Sequence, residues 1–233
     1  MSLRRPPLPG SVATELSGVI EHNEQEGNLM STTHGLHGTA DASTSDTGPA
    51  VGAGGTALDK ALAVLRIAFG VTFLWAFFDK LLALGFSTGA VTNEEGVRTG
   101  IDFLAKDGAW LNGGNPTQGF LAFGVPAHNP FKGTFESMAG DTWVNVLFMV
   151  GLLAIGATLI SGIGMRIGTA AGALMYLLMY VASLPLENNP VFDYHLIGAI
   201  SMVVLALGYA GNTWGFGHTW SHTSLVRKNP ILR

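Results

Sequence analysis

Apolar positions in this 233-residue chain gather into four long runs: Ala61 to Leu84, Trp143 to Ile163, Met165 to Leu184, and Val191 to Gly211. Each reaches the roughly 20 residues needed to cross a hydrocarbon core of about 30 Å. Backbone groups in lipid must bond within their own segment, so these runs predict helices and not strands. The expected fold is an all-α integral membrane protein, a four-transmembrane-helix bundle with both termini on one side.

The polar stretches complete the outline. Residues 1–57 are rich in Gly, Ser, Thr, Pro and acids, with no hydrophobic period, and predict a disordered tail. The membrane domain is expected over 58–217, followed by a short basic C-terminal tail, 218–233. A loop at 85–141 separates the first two runs and is too long for a mere connector. In it Val97, Ile101, Leu104 and Ala105 recur at helical spacing and predict a short amphipathic helix. Trp110, Asn112-Gly-Gly-Asn-Pro116 and Phe120 to Phe123 follow. The loop is expected to fold as a partly buried cap over the helix ends.

Composition sharpens this outline. Charged residues make up 12% of the chain, about half the share of an ordinary soluble domain. Of 28 charges, 19 fall in residues 1–60 and in the loop, and between Thr142 and Val226 only Arg166, Glu187 and Asp193 occur. The chain has no cysteine, which excludes disulfide exchange, cysteine-ligated iron-sulfur clusters and a thiol nucleophile. Its net charge of −4, without a basic aromatic patch, gives no sign of nucleic-acid binding. No secretory signal core is visible near Arg4 and Arg5, and Met30 offers a second start. Neither His34 with His37 nor His218 with His222 brings the third ligand that a metal centre needs.

Basic residues set the expected threading. Lys60, Arg66, Arg166, Arg227, Lys228 and Arg233 flank one set of helix ends, whereas the turn Pro185 to Pro190 has none. Basic flanks stay cytoplasmic, so both termini are expected inside, in a plasma membrane. Arg66 lies about a turn inside that boundary. It is expected to anchor at phosphate headgroups, with a substrate contact as the less favoured alternative. In the third run Gly164, Gly168 and Gly172, continued by Tyr176 and Tyr180, form a small-residue face. That face predicts an intramolecular packing seam in preference to a dimer contact.

Antiparallel threading then brings distant residues to one depth. Asp79 and Lys80 end the first run; Asp193 and His195 begin the fourth; Glu187, Asn188 and Asn189 occupy the turn before it. One outer polar cluster is expected. Ionisable groups at membrane depth are functional candidates by default, and a carboxylate beside a histidine is a workable proton-transfer pair. The alternative is a structural lock, with Lys80 paired to Asp79, Glu187 or Asp193.

Several stretches carry a family resemblance over residues 60 to 217. They are Leu65-Arg66-Ile-Ala-Phe-Gly70 with Asp79-Lys80-Leu81; Trp110-Leu-Asn-Gly-Gly-Asn-Pro-Thr-Gln-Gly-Phe120; and Gly162-Ile-Gly-Met-Arg166. The last are Leu184-Pro-Leu-Glu-Asn-Asn-Pro190, Asp193-Tyr-His195 and Gly211-Asn-Thr-Trp214-Gly. In this order and spacing the chain resembles the DoxX/DoxD family of small bacterial membrane proteins, in its longer DoxD-like branch. The resemblance implies a four-helix membrane bundle. It also implies the role of membrane subunit in a thiosulfate:quinone oxidoreductase, which passes two electrons from thiosulfate to quinone and yields tetrathionate. Relatives commonly carry a second acid beside the histidine, where this chain has Tyr194. Asp193 and His195 are carried over; an acid pair is not.

Two classes of function follow. In a quinone-linked redox subunit, His195 would donate to a quinone carbonyl and supply protons, with Asp193 orienting it. Tyr176 or Tyr180 would contact the ring, and Lys80 would draw in thiosulfate or another small anion. No flavin fingerprint, haem pair or cluster ligand set is visible, so a partner membrane or periplasmic subunit would complete the enzyme. The alternative is a non-catalytic scaffold or accessory subunit of a larger membrane complex.

Overall fold

The computed structural model describes residues 55–232. His22, His34, His37, the second start at Met30 and nearly all of the predicted tail lie outside the described residues. Within them the chain is mostly helical, with one small hairpin.

Helix α1 spans Ala57–Leu82. It starts earlier than its apolar run because Thr56 and Asp59 form a capping box, each side chain accepting from the other's backbone N–H. Helices α3 (Thr142–Ser161) and α4 (Met165–Ala182) follow the second and third runs closely. These three, at 26, 20 and 18 residues, are long and apolar enough to cross a membrane. Only 33%, 33% and 28% of their apolar windows are buried within the protein. The remainder, including Trp75, Leu147 and Leu174, faces outward, which suits lipid and would be costly against water.

The fourth run departs from expectation. Helix α5 covers only Tyr194–Leu207, 14 residues, or about 21 Å at 1.5 Å per residue. Its start is fixed by Asp193, whose side chain accepts from the Leu196 N–H. Its end is followed by Tyr209 at φ 48° and a 3-10 turn, Ala210–Asn212. The sequence beyond it forms two short helices, α6 (Gly217–Ser221) and α7 (Ser224–Lys228).

α1 packs on α3, α3 on α4, and α4 on α5. All three pairings are antiparallel, as close approaches show. Gly70 meets Ile160 while Gly156 meets Leu74; Gly168 meets Thr158 while Gly151 meets Met175; Gly172 meets Met202 while Gly198 meets Tyr176. The glycines of α4 therefore serve intramolecular contacts. The core between the helices holds Phe73, Phe77, Met149, Leu152, Ile155, Leu159, Met202 and Leu205. At the Arg166 end two glycines touch, since a Cβ on either Gly162 or Gly211 would lie 2.6 Å from the other's carbonyl oxygen. That contact ties the end of α3 to the turn after α5.

The expected amphipathic helix around Val97 to Lys106 does not form. Strands β1 (Ala90–Thr92) and β2 (Arg98–Ile101) pair antiparallel instead. Asn93 explains why: its Oδ1 accepts from the N–H groups of Glu95 and Val97, and Gly96 takes φ 77°. The rest of the loop is local structure: a 3-10 turn at Trp110–Asn112, a π-helical turn at Phe120–Gly124, and α2 (Lys132–Ser137).

Candidate functional site

The polar residues expected in one cluster separate into two groups at the same end of the helices. No ion pair or hydrogen bond joins the groups among the described residues.

The first group belongs to α1 and the hairpin. Asp79, 2% exposed, accepts from the N–H of Phe86 at 3.0 Å, the N–H of Ser87 at 2.6 Å, and the Ser87 hydroxyl. Lys80 Nζ donates to Ser87 Oγ at 3.0 Å and lies 6.0 Å from the Phe148 ring centroid. Asp79 thus folds the start of the loop back onto the helix end. The alternative, a structural lock with Lys80 paired to Asp79, Glu187 or Asp193, is not made among the described residues. Ser87 offers Lys80 a hydroxyl, while backbone donors occupy the Asp79 carboxylate.

The second group sits at the start of α5. Asp193 Oδ2 is 2.6 Å from His195 Nδ1, while Oδ1 accepts from the Leu196 N–H at 2.9 Å. One carboxylate both caps the helix and orients the imidazole, because the Asp-Tyr-His spacing places the cap and the ring in the same turn. Asp193 lies ahead of the helix. Burial pushes its carboxyl up, but the hydrogen bonds from Leu196 and His195 outweigh that and hold it below the usual carboxylate range. His195 is 2% exposed and its Nε2 has no hydrogen-bond partner among the described residues.

Aromatic rings enclose this histidine. Tyr194 lies over it at 3.9 Å between centroids and Tyr176 of α4 stands at 6.5 Å. Tyr176 in turn meets Phe69 and Phe73 of α1 edge-on, at 5.9 and 5.4 Å. Rings of α4 and α5 therefore pack beside His195, with two α1 rings behind Tyr176, and the site presents an oriented imidazole with one unpartnered nitrogen among aromatic side chains. With Nδ1–H donated to Asp193, Nε2 presents a lone pair and is a hydrogen-bond acceptor.

The remaining candidates lie apart from this ring cluster. Glu187 is exposed. Asn189 Oδ1 accepts from the N–H groups of Val191 and Phe192, both at 2.9 Å, and shapes the turn. Tyr180 donates to the Val191 carbonyl at 2.8 Å.

Arg66 requires a correction, because its side chain is fully buried and cannot reach headgroups. Nη1 donates to the carbonyls of Leu159 and, at 3.0 Å, Ile160; Nη2 donates to those of Thr213 at 3.2 Å and Trp214 at 3.0 Å. The guanidinium caps the C-terminus of α3, where unpaired carbonyls concentrate negative potential. No carboxylate pairs with it among the described residues.

Sequence reasoning missed three anchors of the loop. Thr117 donates its N–H and hydroxyl to Asn145 Oδ1 of α3, at 3.0 and 2.7 Å. Asn129 donates to the carbonyls of Val181 and Ala182 at the end of α4, at 2.8 and 3.1 Å. All three residues are buried. An asparagine on an apolar helix, as at Asn145, is the one signal the sequence offers. The rings of His218 and His222 lie 4.5 Å apart, tilted at 44°, and no third metal-ligating side chain joins them among the described residues.

Comparison with family models, curated proteins and solved structures finds no match to this chain.

Proposed function

We propose that the chain is a DoxD-like subunit of a bacterial plasma membrane, a four-helix bundle with α5 as a short fourth crossing and both termini cytoplasmic, linked to quinone redox chemistry. One observation supports this reading: the buried Nε2 of His195, oriented by Asp193, has no partner among the described residues and lies beside the rings of Tyr194 and Tyr176. Buried polar atoms nearly always find a partner, so an orphan acceptor among aromatic rings suits a flat, apolar ligand that carries a hydroxyl donor. A quinol fits that description, and the quinol–quinone couple supplies two-electron chemistry coupled to two protons. The lone pair of Nε2 would accept the hydroxyl proton of a quinol, or return a proton to a quinone oxygen. Asp193 would balance the charge on the ring throughout. Lys80, near the same end, would attract a small anion such as thiosulfate, and a partner subunit would bring the electron carrier.

The test uses membranes carrying wild-type protein, His195→Ala and Lys80→Ala, with thiosulfate as donor and quinone reduction as readout. Quinone retained by the purified protein is measured in parallel. Loss of turnover and of bound quinone in His195→Ala supports the reading. Wild-type protein that holds no quinone, with unchanged rates in both variants, overturns it in favour of a scaffold.

A further inference from the structure

A second site lies at the opposite end of the helices, between α4 and α5. The side chains there are small: Ala170 and Ala173 on α4 face Ala206 on α5, leaving an outward-facing slot of about 380 Å³ also lined by Met202 and Val203. The register that sets Gly172 against Met202 and Gly198 against Tyr176 brings Arg166 level with Tyr209 at its mouth. A second space of about 180 Å³ adjoins the slot through Arg166, Ala206 and Tyr209 and is walled by Asn212, Ser221 and the Gly162 and Gly211 backbones. An apolar slot thus opens into a polar compartment around one guanidinium.

Among the described residues Arg166 is the one charged residue lining the two spaces, and the nearest acid of α1 at this end, Asp59, is turned to the Thr56 cap. Arg166 is exposed, donates to the Pro230 carbonyl at 3.0 Å, and makes no ion pair among the described residues. That bond places it near α7, whose last turn carries Arg227 and Lys228. The only acids beyond Asp141, Glu187 and Asp193, lie at the other end of α4 and α5. A ligand matching both compartments has an apolar chain and an anionic head.

We propose that this groove binds an anionic phospholipid, with one acyl chain in the slot between α4 and α5 and its phosphate on Arg166. Basic pockets between membrane helices commonly hold such headgroups. A lipid seated here would fill the gap that three alanines leave and join α4, α5 and the C-terminal helices into one unit. The inference rests on the membrane reading above but not on quinone chemistry. Recovery of the chain from the membrane fraction, checked first, separates the two.

The full chain, purified in mild detergent, is titrated with phosphatidylglycerol, phosphatidylcholine or inorganic phosphate and followed by native mass spectrometry and thermal unfolding. Phosphatidylglycerol is expected to stay bound and raise the melting temperature. Phosphatidylcholine and phosphate alone are expected to do neither. Arg166→Gln, at an exposed position that leaves the fold intact, should weaken phosphatidylglycerol about fivefold, the share expected for one basic residue at a membrane surface. Ala170→Trp, which fills the slot, should abolish retention. Equal retention of the two lipids, no effect of Arg166→Gln, or protection by phosphate equal to that by phosphatidylglycerol would each overturn the proposal. Should Ala170→Trp fail to fold, the Arg166→Gln comparison still decides it.

Discussion

The carbonyl of Ile160, in the last turn of α3, accepts a 3.0 Å hydrogen bond from the guanidinium of Arg66 on α1. With the carbonyls of Leu159, Thr213 and Trp214 bound to the same group, one side chain joins α1, α3 and the segment after α5. Arg66→Ala would leave these carbonyls without that donor. The expected loss is roughly 2–4 kcal/mol, in the range for removing a buried charged hydrogen-bond partner. Arg66→Lys keeps the charge but not the planar fork, and should recover only part of it. Thermal unfolding in detergent measures both, and a melting temperature unchanged in Arg66→Ala would contradict this role.

The loop from Gly85 to Asp141 is expected to detach where it is pinned. Asn145 Oδ1 receives both the N–H and the hydroxyl of Thr117. Asn145→Leu removes that acceptor from two buried donors, at a cost of about 1–3 kcal/mol. The local signature matters more than the global one. Amide exchange at Thr117 and Gln118 should accelerate, while amides in the middle of α3 keep their protection. Uniform acceleration along α3 would mean that Asn145 supports the helix and not the loop.

What the sequence makes legible divides along a physical line. The helices α1, α3 and α4 follow from apolar length alone, and the α4 seam from glycines four apart, because both signals are local. The Asp193 cap and its histidine are likewise readable, being two residues apart. Arg66 is misplaced by sequence reasoning because the facing of a basic side chain depends on where a neighbouring helix ends, here 93 residues away. The hairpin escapes it because Val97 and Ile101 fit a helical period as well as a strand, and the deciding turn at Asn93 lies outside that window. Asn145 stands out as an asparagine on an apolar helix, but its partner 28 residues away is not legible, and Asn129, bonded 52 residues away, gives no signal at all.

Gly168 offers a test of helix packing that is independent of any ligand. A Cβ there would run into the Thr158 side chain of α3. Gly168→Leu should force α3 and α4 apart and cost about 1–3 kcal/mol or more, as overpacking does. The paired variant with Thr158→Gly should regain part of that loss, because the space it needs is vacated. A double mutant no more stable than Gly168→Leu alone would show that the contact does not limit the approach of the two helices.

The Asp193–His195 dyad separates a structural from a chemical role in one experiment. Asp193→Asn keeps an oxygen for the Leu196 N–H, so α5 should remain capped and stability should change by only a few tenths of a kcal/mol. Asp193→Ala removes the cap as well, and should cost about 1 kcal/mol. Both variants take the carboxylate away from Nδ1–H of His195. In the Asp193→Asn variant the new amide presents its N–H₂ to Nδ1, which moves the ring proton to Nε2 and takes away its lone pair. If His195 transfers protons, quinone-dependent turnover should fall in Asp193→Asn by about 10²–10⁴-fold, the usual contribution of general acid–base catalysis. The nitrogen resonances of His195 should report the change of tautomer directly. A tautomer that shifts with no loss of turnover would leave the dyad as a helix cap alone.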